Sequence, residues 1–204
     1  MSELSQLAEQ IRACQRCRLA QTRVNAVPGE GPADAPIMLI GEGPGFHEDR
    51  QGRPFVGRSG ELLEKLLGSI GLRRRDVFIA NVVKCRPPDN RDPLPDEIEA
   101  CRPYLERQIE LIQPRLVITL GRVSMARYFP GQSITRIHGQ IKQVDGVSCV
   151  PMFHPAAALR NPQWMAAIKQ DFAQLAPLVA ELYAGRSREA NHEESDEVQQ
   201  LSLF

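Results

Sequence analysis

Four short, predominantly apolar runs punctuate this chain: Ile37–Ile40, Val77–Ala80, Leu116–Leu120 and Val147–Met152. Runs of four to six residues with no polar alternation suit strands buried on both faces. The segments between them carry apolar residues at helical spacing instead. Leu62, Leu63, Leu66, Leu67 and Ile70 mark one helix, with Ser59 as its expected cap and Gly71 as its stop. Further helices are expected from about Asp96 to Ile112, from Gly121 through about Phe129, and from about Gln163 to Tyr183. An opening helix over Leu4, Leu7, Ala8 and Ile11 has Ser2 or Ser5 available as N-cap. Strands alternating with helices predict an α/β fold: a single α/β/α sandwich around a four-stranded, mainly parallel sheet. In such sheets ligands bind beyond the carboxyl ends of the strands. The loops after the first, second and fourth runs are therefore where chemistry is expected.

The 204 residues fit one domain, and 42% hydrophobic against 25% charged residues is globular composition. No apolar run approaches the length that crosses a bilayer, so no membrane is expected as a partner. The polar N-terminus does not read as a secretory signal, which places the chain in the cytoplasm. Zero formal net charge conceals an asymmetry. Arginines bunch at 12, 16, 18 and 23, at 50, 53 and 58, and at 73–75, a pattern that fits either local phosphate contacts or solvated helix faces. Residues 185–204 hold two basic and five acidic side chains and predict a disordered tail after a folded unit of residues 1–184.

Five cysteines in a cytosolic chain do not suggest a disulfide framework. Cys14 and Cys17 form a C-x2-C pair, while Cys85 and Cys101 have fifteen residues between them. Four thiolates can close a tetrahedral zinc site or an iron–sulfur cluster, and the loose second pair leans toward the cluster. Burial as small hydrophobes is the structural alternative for Cys85 and Cys101. Cys149, inside an apolar run, reads as core.

The turn after the first run is GEGPG, whose glycine spacing is not that of a dinucleotide fingerprint, and FHEDRQGRPF after it is not expected to open a helix directly. The loop supplies a backbone that a ligand can approach closely, carboxylates at Glu42 and Glu48, and a flat apolar face at Phe55. Asn81 ends the second run, where its amide can donate and accept at a planar base edge. His154 follows the fourth run, a placement in which imidazole can donate to a developing anion.

The set GEGPG, GRPFVG, NVVKCRPP and MFHP, together with the four cysteines, resembles the uracil-DNA glycosylase superfamily, specifically its family 4 iron–sulfur enzymes, over residues 10–180. The resemblance implies a glycosylase that hydrolyses the N-glycosidic bond of deoxyuridine in single- or double-stranded DNA, releases uracil and leaves an abasic site. It implies a structural [4Fe–4S] cluster on Cys14, Cys17, Cys85 and Cys101. Phe55 matches the residue that stacks on the flipped uracil, Asn81 the one that reads O4 and N3–H, and His154 the one that faces O2. Glu42 and Glu48 match the motif carboxylates; Asn90 aligns with a loop asparagine near the site. Gly43 stands where the best-known branch has its water-activating aspartate, and Ala156 where many relatives have serine. The alternative from another class is a non-catalytic iron–sulfur electron carrier or DNA-binding module. Finally, Gln200, Leu201, Leu203 and Phe204 belong to a terminal QLSLF that resembles the peptide by which bacterial repair proteins dock on the sliding clamp. The expected assembly is a monomer near the nucleoid.

Overall fold

The computed structural model describes residues 2–201, with side chains described through Ala184. In chain order its helices and strands are α1 (Glu3–Ala13), β1 (Ile37–Gly41), α2 (Phe46–Gln51), α3 (Arg58–Ser69), β2 (Phe78–Asn81), α4 (Pro95–Ile112), β3 (Leu116–Leu120), α5 (Arg122–Ala126), α6 (Ile134–Ile137), β4 (Lys142–Val144), β5 (Val147–Met152), α7 (Pro155–Ala158) and α8 (Pro162–Leu201). The strands form one sheet in the order β2-β1-β3-β5-β4. The four strands expected from the apolar runs pair in parallel, Met38 beside Phe78, Ile37 beside Leu116 and Leu116 beside Ser148.

The sheet has five strands, not four. The addition is β4, an antiparallel edge partner of β5 that is short, polar and largely exposed. It lacks an apolar run because an edge strand with one wet face needs none. Its turn was nonetheless written in the sequence: Asp145 and Gly146 both adopt positive φ, 51° and 82°, the Asp-Gly geometry of a two-residue hairpin.

Period-two alternation splits each strand between two cores. Met38, Ile40, Phe78 and Val117 pack under α1, α4 and α5. Ile37, Leu39, Ile79, Ile118 and Val150 pack under α3, α7 and α8. Burial on both faces is what made these strands read as continuous apolar runs.

Helix boundaries show where side-chain capping lost to backbone geometry. Ser2 caps α1, accepting from the Ser5 N–H at 3.2 Å. The expected Ser59 cap is not used: α3 begins two residues earlier, at Arg58, behind Gly57 at φ 80°. A helix does open directly after GEGPG, contrary to expectation, because Gly45 in an extended conformation serves as the N-cap of α2. The helix after Gly121 is shorter than expected and ends at Ala126. The backbone of α8 continues past Gly185, where an irregular tail was expected; the following stretch lacks Pro and Gly and is rich in the helix formers Glu, Arg and Gln. The proposed clamp motif falls at this end. Ser202–Phe204 lie outside the described residues, as do the side chains of Gln200 and Leu201. Among the described residues no helix is long and apolar enough to cross a membrane.

Candidate active site

The carboxyl ends of β1, β2 and β5 open into a cavity of about 420 Å³. Glu42, Gly43, Glu48, Phe55, Asn81, Asn90 and His154 all line it, so the seven residues singled out beyond the strands converge on one pocket. Gly41, the last residue of β1, makes the convergence possible. A Cβ there would overlap the Asn81 Oδ1 and come within 2.7 Å of the Phe55 ring.

Asn81 is 2% exposed, and its Oδ1 is buried without a hydrogen-bond partner. An unpaired buried carbonyl costs about 1–3 kcal/mol, so this oxygen is set up to accept from a ligand N–H. Its backbone carbonyl is held separately by the Lys84 Nζ at 2.9 Å.

Phe55 sits in the left-handed region at φ 48°, a conformation that a bulky residue adopts only when its surroundings impose it. Arg74 imposes it. Its Nη1 donates to the Phe55 carbonyl at 2.9 Å, its Nη2 donates to the Pro54 carbonyl, and its Nε is anchored on Glu30 at 2.6 Å. The Arg53 and Arg74 guanidiniums outweigh desolvation and hold the Glu30 carboxyl down at about 2. Gly60 completes the fit, because a Cβ on it would collide with the Phe55 carbonyl.

His154 caps α7, its Nδ1 accepting from the Ala156 N–H at 3.1 Å. That bond assigns the ring proton to Nε2. Burial pushes the imidazole down to about 4, so the ring is a neutral donor at physiological pH. It faces Phe55 at 5.5 Å between centroids and 25° between planes.

The two carboxylates differ in tether. Glu42 Oε1 accepts from the Val123 N–H at 2.9 Å, beside Gly121, whose missing Cβ leaves room for the carboxyl group. Glu48 lies in the first turn of α2 against Gly45. Desolvation raises both above the usual carboxylate value. Asn90, exposed and at φ 55°, accepts from the Arg86 Nε at 2.8 Å. Arg91 and Arg160 also line the pocket. Arg160 lies in the Leu159–Pro162 stretch that the family resemblance implies as a wedge for the gap left by a flipped base, whereas Arg91 was not anticipated and had only its position in the proline-rich loop after β2 as a signal.

Cys14, Cys17, Cys85 and Cys101 surround a second, smaller cavity shared with Arg23, Lys84 and Tyr104. Cys149 is buried in β5, apart from them. Donors aim at the sulfurs: Arg23 Nη1 to Cys85 at 2.9 Å, the Lys84 N–H to Cys101 at 3.2 Å and the Arg16 N–H to Cys14 at 3.5 Å. Burial raises the Cys85 thiol and pushes that of Cys101 up to about 11. Among the described residues, no three Cys, His, Asp or Glu side chains close on a point as one metal ion requires. The four thiols instead line a space between them.

The profile of the Uracil DNA glycosylase superfamily matches residues 28–176. The chain belongs to the uracil-DNA glycosylase superfamily. It is 47% identical to a type-4 uracil-DNA glycosylase of Sulfurisphaera tokodaii over 87% of this chain and 86% of that protein. It is 49% identical to the type-4 enzyme of Saccharolobus solfataricus over 86% of each chain, and 42% identical to that of Archaeoglobus fulgidus over 87% of this chain and 94% of that protein. The superfamily match spans β1 through the first part of α8, and so takes in both walls of the pocket.

Proposed function

We propose that the pocket binds uracil flipped out of DNA and that the chain hydrolyses its N-glycosidic bond, releasing the base and leaving an abasic site. The observation that carries the reading is the buried, unpartnered Oδ1 of Asn81 on the wall of a pocket whose opposite donor is a neutral His154. Uracil offers an N3–H to that oxygen and an O4 acceptor to the same amide's Nδ2. Cytosine offers no N3–H and presents a donor where O4 would be. Phe55 supplies the stacking face.

Cleavage leaves negative charge on uracil and positive charge on the sugar, so the groups that matter are those that strengthen as charge separates. His154 Nε2–H donates to O2 as it becomes anionic, and the backbone N–H groups of residues 42–45 add to the same field. Glu42, tethered through one oxygen, keeps the other for the attacking water or the sugar cation. With Gly43 at the position of an aspartate in the best-known branch, Glu42 carries this role alone. Glu48 stands beside uracil C5 and excludes a methyl group there. Release of free uracil from a uracil-containing oligonucleotide, and not from its thymine or cytosine counterpart, tests the reading.

The four cysteines fit a [4Fe–4S] cluster by chemistry and placement: four soft donors around one cavity, ringed by Arg23, Lys84 and backbone N–H groups that offset an anionic centre. Bound there, the cluster supplies a cross-link, not redox chemistry. It would tie the end of α1 and the turn after β2 to α4, and only four positions separate Asn81 from Cys85. The chain acts as a monomer on DNA in the cytoplasm, and Gln200, Leu201, Leu203 and Phe204 recruit it to the bacterial sliding clamp.

A further inference from the structure

We propose that Phe46, Arg50 and Arg86 form a phosphate-gripping rim that holds the backbone of the uracil-bearing strand beside the pocket. The inference rests on the glycosylase reading and adds to it the residues that hold the strand. Phe46 opens α2 directly after Gly45, a pocket-lining residue, yet it is 46% exposed. Core packing does not account for it. Two guanidiniums lie over its ring, Arg50 at 5.3 Å and Arg86 at 5.2 Å from the centroid, and they come from different elements, α2 and the loop after β2. Arg86 is further fixed by Asn90, itself on the pocket wall.

Charge balance separates these two arginines from others around the pocket. Arg53, Arg74 and Arg91 are each tied to a carboxylate. Neither Arg50 nor Arg86 makes an ion pair among the described residues. The nearest acid on α2, Asp49, is turned inward and accepts from the Val24 and Asn25 N–H groups at 2.9 and 3.3 Å. A guanidinium lying against an aromatic ring loses little further freedom on binding, while the N–H donors at its edge stay available for a planar or tetrahedral oxyanion. Two such cations, pre-arranged and uncompensated at the mouth of a pocket sized for one base, match a polyanion threading past that mouth. The ligand chemistry is the phosphodiester of a DNA strand.

The test is fluorescence anisotropy of a uracil-free single-stranded oligonucleotide binding to anaerobically purified protein between about 50 and about 200 mM NaCl, which reads backbone contacts without requiring excision. KM for uracil release from the same sequence carrying uracil is measured in parallel. Each of Arg50→Ala and Arg86→Ala is expected to shrink the loss of affinity across that salt range by roughly two- to fourfold, the signature of one lost phosphate contact, and to raise KM. Phe46→Ala is expected to weaken binding in the same direction and Phe46→Tyr to restore it. Arg75→Ala, at the opposite end of β2, is the control and is expected to bind as the unaltered chain does. Wild-type salt dependence in both arginine variants, or an equal change in the control, overturns the rim. Tight oligonucleotide binding with no uracil release from the unaltered chain overturns the glycosylase reading and leaves the anisotropy arms to decide the rim.

Discussion

At the scale of single residues, the pocket works by withholding partners and by moving protonation equilibria. Asn81 keeps an oxygen unpaired until a base with an N–H arrives. Asn81→Asp replaces the donor half of the amide with a repelling oxygen, and uracil release is expected to fall by about tenfold to a hundredfold, as for a lost buried hydrogen bond of about 1.5–3 kcal/mol. An unchanged single-turnover rate would show that the amide does not read the base. Burial pushes the His154 imidazole down to about 4, which keeps it neutral through the working range, while desolvation raises the carboxyls of both Glu42 and Glu48. Since Glu42 is the one proposed to hold the attacking water, the acid limb of activity is assigned to it. Glu42→Gln is expected to slow cleavage by roughly 10²-fold or more and to abolish that limb in a pH–rate profile. His154 also makes folding pH-dependent. Its folded value of about 4 lies below the ordinary 6.5, so the unfolded chain binds the extra proton. Its contribution is intact above pH 6.5 and is lost as pH falls toward 4, on the order of 3 kcal/mol. Urea unfolding of His154→Gln is expected to show a shallower acid decline over that window.

At the scale of elements, the pocket is assembled by how helices and strands begin and end. Gly41 lets the ends of β1 and β2 approach each other, and Gly60 in the first turn of α3 admits the Phe55 carbonyl. Gly60→Ala is expected to cost about 1–3 kcal/mol in stability as an overpacked site and to displace Phe55. Uracil release should then fall with it, by an amount comparable to the stacking loss of about 1–3 kcal/mol in Phe55→Ala. Thermal melting and kcat/KM measured together check this, and a destabilised variant with normal kcat/KM would separate Phe55 from α3. Much of this level was legible. The four apolar runs became the four parallel strands, and α4, expected from Asp96, starts at Pro95. The misses, β4, α2, α6 and α7, are short elements of three to six residues, too brief for periodicity to register.

At the scale of the whole molecule, two further devices are expected around the catalytic unit. Anaerobically purified protein should be brown and hold about four iron atoms per chain. One equivalent of zinc without iron would overturn the cluster. Deleting residues 200–204 should leave uracil release from a short oligonucleotide intact while abolishing capture by the bacterial clamp, because Leu201, Leu203 and Phe204 would supply the apolar contact and the acidic stretch before them would keep that end off DNA. Equal clamp binding by full-length and truncated chains would remove the recruitment role.

The amino-acid order alone determined the fold class, because burial on both faces of a parallel sheet leaves an unmistakable run of apolar residues. It also marked Glu42, Glu48, Phe55, Asn81 and His154, which lie in or beside glycine- and proline-rich turns where strands end, while Gly43, Asn90 and the four-cysteine set were marked by the family resemblance. Tertiary structure alone decided how those groups are tuned. The proton on His154 Nε2 follows from an N–H two residues away, the left-handed Phe55 from an arginine nineteen residues on, and the anchoring of Glu42 from a backbone amide beyond β3. The last two couplings join residues distant in sequence through hydrogen bonds and excluded volume. No local pattern encodes them; they exist only once the sheet has brought the strand ends together.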